Sequence, residues 1–411
     1  VVSHNMGSAE AIEELQLSPA RYYQRPDRED RDFFLDPTRT SLTGHVAEAS
    51  LAKLAGEHWR FSVTAQDYHP GFENNEAGFL GSTDMRGIAP LIGYTETKVG
   101  KLLRFRENFL FWNPSWNYDG DLTFSGVGTL MFMQDKSYRG YFLRYDWRPP
   151  TLDDRLTRGG PVGATPTRNG AGFEFSSDSR KKHTYGFFVQ RFQDAKAGGW
   201  SNYIGPRLTL KPRPALRIQF TPSYSKSRSM AQYVTDQVDP NATDTYGTRY
   251  VFATLNQTEL SATTRVDWTF SPTLSLQVFA QPLVASGDYF DFKELDRPRA
   301  FASNVYGRDG GATSTIVRDA AAEDYTVDPD GAGSSPAFTF GDPDFNSRFL
   351  RGNALLRWEY RPGSVLFLVW EESRFRSAPA GMAGVPTFQS SRRWPHVWSC
   401  ASSTRTATSD A

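Results

Sequence analysis

The sequence has 411 residues, 38% of them apolar, and its 46 basic and 46 acidic side chains cancel to zero net charge. Neutrality removes the electrostatic case for nucleic acid, and no apolar run approaches the ~20 residues of a spanning helix. A mean hydropathy of −0.53 leaves a membrane β-barrel open, because alternate strand residues face water or a lumen.

Residues 1–7 read as the end of a strand, residues 9–17 as a short helix (Ala11, Ile12, Leu15), and Arg25-Pro26-Asp27 as the start of a polar connection. Residues 1–40 are therefore a partly irregular connection from a preceding strand. No basic segment followed by an apolar core opens the chain, so no signal peptide is visible and a fragment of a secreted protein is the expectation. The one cysteine, Cys400, suits an oxidising compartment without demonstrating it.

From Ser41 the pattern is strand-like. Alternation predicts about 14 strands: 41–54, 57–67, 86–99, 102–114, 120–134, 138–148, 169–178, 183–193, 202–211, 215–228, 258–271, 273–286, 348–361 and 363–375. The clearest stretch sets Leu260, Ala262, Thr264, Val266, Trp268 and Phe270 against Glu259, Ser261, Thr263, Arg265, Asp267 and Thr269. After Ser271-Pro272 it resumes with Leu274, Leu276 and Val278, an antiparallel hairpin. Strands of ~12 residues exceed the usual five or six of soluble proteins and match a tilted bilayer crossing.

The connections alternate as well. Tight ones (Gly56, Gly100-Lys101, Asp135-Lys136, Ser179-Arg180, residues 211–214, Ser271-Pro272, residues 361–363) take turns with longer ones (68–85, 115–119, 149–168, 194–201, 229–257, 287–347). Short turns at one end and long loops at the other mark an outer-membrane barrel, whereas a soluble sandwich has no reason to sort its loops. The fold class expected is all-β, an antiparallel up-and-down transmembrane β-barrel over residues 41–376, incomplete as it stands. The 14% aromatic content, 30 Phe, 18 Tyr and 10 Trp, suits two girdles, of which Trp268, Phe270, Trp358 and Tyr360 belong to one. Charges that alternate with the apolar face, namely Arg217, Arg265, Asp267, Arg357 and Glu359 with Arg104 and Arg106, should face the lumen, as a cross-paired lining or a solute filter.

Residues 287–347, with Asp309-Gly310-Gly311 and Asp328-Pro329-Asp330-Gly331, read as an irregular extracellular or lumen-facing loop. The six histidines show no metal-ligand spacing, and neither a Gly-x-Ser-x-Gly elbow nor a phosphate loop occurs. No catalytic residue, metal site or cofactor is predicted. Asp324, Asp328, Asp330 and Gly331 loosely resemble a calcium loop but lack its terminal glutamate, and a solvated acidic loop is the better reading. Carboxylate pairs such as Asp119/Asp121 and Asp153/Asp154 are too common here to single out a glycosidase.

Several segments, in order, resemble the C-terminal barrel of the bacterial DUF5916 family. They are Ala20-Arg-Tyr-Tyr-Gln-Arg-Pro-Asp27, the stretch from His69 to Leu80 with Asp84-Met-Arg86, Arg158-Gly-Gly-Pro161, Ser271 to Gln277 with Gly287-Asp-Tyr289, Asp342 to Arg348 with Leu350 to Asn353, and Trp358 to Trp370. The resemblance implies a bacterial outer-membrane protein, with the bilayer as partner, in which a carbohydrate-binding family 9-like domain usually precedes the barrel. It implies the membrane-embedded part of a surface or uptake protein with glycans as ligand class. Its motif-bearing loops make Arg158, Asp84 and Glu73 the ligand-binding candidates. A surface carbohydrate-active enzyme and a soluble β-sandwich or solenoid binding protein are the rival readings. Two departures stand out: the family's leading domain and first strands are not present, and residues 377–411 lack the closing strand. That aberrant tail reads as an out-of-frame product after about Ala378. An incomplete barrel leaves strand edges unpaired, so this chain alone is not expected to insert stably.

Overall fold

Alternation over most of the chain becomes one antiparallel meander. The computed structural model describes residues 1–74, 80–302, 304–308, 313–378 and 396–401. Its strands are β1 (Val2–Met6), β2 (Ser41–Lys53), β3 (Trp59–Tyr68), β4 (Met85–Glu96), β5 (Leu103–Trp112), β6 (Val127–Asp135), β7 (Gly140–Arg148) and β8 (Arg168–Ser176). Then come β9 (His183–Asp194), β10 (Trp200–Arg213), β11 (Leu216–Val238), β12 (Thr248–Ser271), β13 (Leu274–Glu294), β14 (Phe345–Arg361), β15 (Ser364–Ala378) and β16 (His396–Ala401). Each pairs antiparallel with the next in sequence. Among the described residues β1 pairs only with β2 and β16 only with β15, so the sheet is continuous with two edges.

The turns that join strand pairs at one end are short for a stereochemical reason. Arg361 faces Ser364 across Pro362-Gly363, where proline presets the first central residue and Gly363 takes φ 79°. Ser271 faces Leu274 across Pro272-Thr273, where proline again presets the first central residue. The opposite end carries residues 7–40, 69–84, 113–126, 149–167, 195–199, 239–247 and 295–344. The alternation of tight and long connections is thus a sorting onto two ends of one sheet.

The fourteen strands expected correspond to β2–β15, with one systematic difference. β11, β12 and β13 run about ten residues further than alternation indicated, so the loops expected at 229–257 and 287–347 shrink to 239–247 and 295–344. There the chain is covered on both sides: Val251, Phe252, Ala253 and Leu255 are all buried, and a strand buried on both faces loses its period of two.

The long connection is not irregular either. Thr315–Asp319, Asp324–Asp328 and Phe338–Gly341 form a three-stranded sheet. It packs Val327 and Phe338 onto Val251 and Phe292 of the strand extensions and onto Tyr306 of the connection itself. The calcium-loop resemblance falls with this: Asp324 and Asp328 are ladder residues opposite Asp319 and Thr315. Asp328 accepts the backbone N–H of Gly331 at 2.7 Å, and the described residues hold no cluster of ligating side chains. Asp309-Gly310-Gly311 lies outside the described residues, as do 379–395 and 402–411 of the tail; its described part, β16, pairs with Ser364–Val369.

Candidate functional site

The long-connection end is where this chain buries charge. Residues 7–40 start with the helix Ala9–Leu17, whose Ser8 Oγ accepts the Ala11 N–H at 3.2 Å as an N-cap. The helix buries Ile12 against Tyr23, Phe33 and Leu42. It also buries Gln16, which donates to the Asp36 carbonyl and accepts the Asp36 N–H, both at 2.9 Å. That side-chain clasp folds the segment back on itself and aims Arg21, Arg25 and Arg28 inward, all three buried.

The arginines meet acceptors from three later connections: Arg21 and Arg28 from 69–84, and Arg25 from 69–84, 113–126 and 149–167. Arg21 donates to Glu73 Oε2 at 2.8 Å, the Phe72 carbonyl at 2.6 Å and the Pro70 carbonyl at 3.2 Å. Arg28 donates to Asp84 Oδ2 at 2.7 Å, with its guanidinium beside the rings of Tyr23 and Phe33. Arg25 stands at the centre: Asp119 at 3.1 Å, Asp154 at 3.4 Å, Asp27 at 3.6 Å and Asp84 at 3.9 Å. Asp84 sits at φ 60° and accepts the Tyr118 N–H at 2.8 Å through its other oxygen. Around this centre, Asn117 donates to Asp154 at 3.4 Å, Arg299 donates to Asp121 at 2.6 Å, and Arg155 reaches the carbonyls of Pro19, Ala20 and Thr83.

Burial and pairing compete, and the balance differs by residue. Burial raises the Asp154 carboxyl above its ordinary range even though Arg155 and Arg25 oppose it. Burial, then the hydrogen bond to Asp67, pushes the Tyr118 hydroxyl up to about 12. Contact with Asp121 raises the Arg299 guanidinium despite partial burial. Buried pairs of this kind cost ~3–5 kcal/mol to break from one side, because the remaining charge is stranded. Chemically the arrangement is a clamp. Glycoside hydrolysis needs one carboxyl as acid and one as base or nucleophile, while Glu73, Asp84, Asp119, Asp121 and Asp154 are each committed to an arginine.

Of the three ligand-binding candidates, Glu73 and Asp84 belong to this clamp, and Arg158 stands apart over the Tyr233 ring at 4.5 Å. The loop from Glu73 to Asp84 includes 75–79, outside the described residues. The alternating charges fall on one face of the sheet: Arg217 opposite Asp267, Gln219 opposite Arg265, and Arg357 3.2 Å from Glu359. Trp268, Phe270, Trp358 and Tyr360 hold the other face, exposed, with the rings of Trp268 and Phe270 4.3 Å apart. Arg104 and Arg106 do not join the first group. Arg106 lies opposite Glu96 on the face of Leu110 and Trp112, and a bulge between Leu103 and Phe105 breaks the alternation there. Arg104 and Arg106 instead lie over the rings of Tyr138 and Tyr94 near the tight turns.

Sequence reasoning missed Arg21, Arg25 and Arg28 as a set. Their signal was present: three arginines in eight residues of a polar connection, and acidic residues in each later long connection. Carboxylates are dense enough throughout that no pairing could be chosen.

A family model described as a domain of unknown function (DUF5916) matches residues 30–308, which include every acidic partner of the clamp beyond Asp27. No curated protein matches the chain.

Proposed function

Because the chain belongs to the DUF5916 family, we propose that it is the membrane-embedded β-barrel part of a bacterial outer-membrane surface or uptake protein that handles glycans. The observation that carries this reading is an uncovered apolar face that spans the sheet. Phe61, Ile92, Leu110, Leu143, Phe187, Leu208, Phe220 and Leu368, on eight different strands, all point the same way and are exposed, Leu110 by 61%. Soluble monomers seldom expose contiguous apolar patches beyond a few hundred Å², and a soluble sheet packs such a face on a second layer. The opposite face is polar, with Thr221 opposite Thr263 and Ser223 bonded to Ser261 at 2.7 Å.

Aromatic residues border the apolar face at both ends. Trp59, Tyr185, Trp268, Phe270, Trp358 and Tyr360 stand near the tight turns, and Trp112 and Trp147 near the long connections. On β9, Tyr185 and the partner of Trp200, Gln193, are eight residues apart, ~26 Å along a strand. That is the order of the ~25 Å apolar band of outer-membrane barrels. Past the upper border the same face turns polar, at Lys226 and Arg228 on β11 and at Asn256 and Thr258 on β12.

Curvature supports a barrel over an open sheet. Arg299 follows β13 and Asp121 precedes β6, and a flat sheet would set those strands roughly 34 Å apart, yet the two side chains meet at 2.6 Å. The clamped segment 7–40 then lies across the mouth as a plug. The full-length gene product, expressed behind a secretion leader in a Gram-negative host, should fractionate with the outer membrane and run as a heat-shifted band. A soluble periplasmic product without a shift would overturn the proposal.

A further inference from the structure

Near the clamp but separate from it, a cavity of about 360 Å³ opens between three segments: Gln24 and Pro26 from the plug, Thr157 to Gly160 from the β7–β8 connection, and Asp236, Tyr246, Thr248 and Tyr250 from the β11–β12 end. Its size is at the small end for a specific small-molecule site. We propose that it binds a neutral saccharide unit. The inference rests on the glycan-handling reading above and assigns it to these residues.

Three features point to a built site. First, left-handed backbone is concentrated here. Arg158 (φ 55°), Gly159 (φ 109°), Tyr246 (φ 60°) and Gly247 (φ 79°) all occur at this cavity or its rim, and such conformations persist where surrounding structure over-determines them. Second, its wall is tight enough to demand glycine: a Cβ on Gly160 would fall 2.1 Å from the Tyr250 ring, and one on Gly159 2.2 Å from Gln24 Nε2.

Third, its polar groups are left with capacity. Arg158 makes no ion pair among the described residues, its guanidinium lying over Tyr233. Asp236 accepts the Tyr233 hydroxyl at 2.5 Å through Oδ1, which leaves Oδ2 for a ligand. Gln24 Oε1 is buried without a hydrogen-bond partner among the described residues. Tyr246 adds an exposed ring.

The chemistry selects the ligand class. A guanidinium donates only and a carboxylate accepts only, so together they bind hydroxyls, which do both. A phosphate or carboxylate ligand would meet Asp236, and a cation would meet Arg158. A neutral polyol offends neither, and an exposed tyrosine face suits the C–H side of a sugar ring. A cavity of about 640 Å³ lies among Met131, Leu143, Tyr145, Phe173 and Val189 on the apolar face, where the outer-membrane reading places lipid chains.

The test is saturation-transfer NMR on the detergent-solubilised protein with maltotriose, cellotriose, xylotriose and mannotriose, and with galacturonic acid and glucosamine as charged controls. At least one neutral trisaccharide should give a signal. Arg158→Ala and Tyr246→Ala should each weaken it tenfold or more while the heat-shifted gel band persists. Silence from all four neutral probes, preference for a charged control, or a signal indifferent to both substitutions would each overturn the proposal. Because the band is read on the same preparation, loss of the barrel reading would be seen separately.

Discussion

His69 stands at the first residue past β3, where its Nδ1 accepts the Gly71 N–H at 3.1 Å and its ring meets Phe33, Tyr118 and His45. Burial lowers its protonation range below the ordinary 6.5. His45 and Arg86 act in the same direction, and Asp67 and Asp84 oppose them. A histidine depressed on folding stabilises the fold fully above 6.5, and that stability is lost as pH falls through the lower folded value. The melting temperature should therefore be flat from pH 8 to 7 and decline below 6.5. His69→Asn, whose side-chain oxygen can replace the Nδ1 acceptor, should flatten the decline; an unchanged slope would assign it to other groups. None of this was legible in the sequence, because a histidine without metal-ligand spacing gives no sign of its neighbours. Arg21, Arg25 and Arg28 were hidden for the same reason: apart from Asp27, their acidic partners Glu73, Asp84, Asp119 and Asp154 lie in later connections, and the spacing of such pairs is set by topology alone.

Strands were far more legible than sites, because a period of two is written locally while a contact is not. Where one face stays wet and the other apolar, as from Leu216 to Tyr224 on β11, alternation located the strand. Where the three-stranded sheet and the strand extensions cover both faces, as around Val251 to Leu255, the pattern vanished and the reading stopped about ten residues short. The same alternation supplies a test at this scale. Phe220 is at the middle of the apolar run of β11, 42% exposed, opposite Leu208 and Thr264. In a bilayer, Phe220→Lys should cost ~2–4 kcal/mol in refolding experiments with lipid vesicles, whereas the neighbouring Thr221→Lys, on the polar face, should cost under ~1 kcal/mol. A surface position in water would tolerate Phe220→Lys within about 0.5 kcal/mol. Equal costs at the two sites would mean that both faces see the same medium.

At the scale of the molecule, the two ends of the sheet are held by different physics. The tight-turn end depends on backbone ladders and turn stereochemistry, while the other depends on charges that bind segment 7–40 to three later connections, 69–84, 113–126 and 149–167. These connections flank strands from β3 to β8, and Arg299 brings in the connection before β14 through Asp121, so the clamp ties distant parts of the meander through a segment that adds no long strand. Arg28 tests the division. It is fully buried, its pairing with Asp84 is the shortest contact that Asp84 makes, and Asp84 also positions Tyr118. Arg28→Met keeps the side-chain volume beside Tyr23 and Phe33 but leaves the distant Arg25 as the one cation near Asp84 among the described residues, a loss of ~3–5 kcal/mol where a buried charge is stranded. The expected result is local: limited proteolysis should cut within residues 18–40, while the heat-shifted band and vesicle insertion survive. If Arg28→Met instead abolished insertion together with the clamp, the plug would be a folding element of the sheet rather than a cover added to it. Arg28→Met with Asp84→Asn distinguishes the two, since removing both charges should recover much of the loss if the stranded carboxylate is its cause.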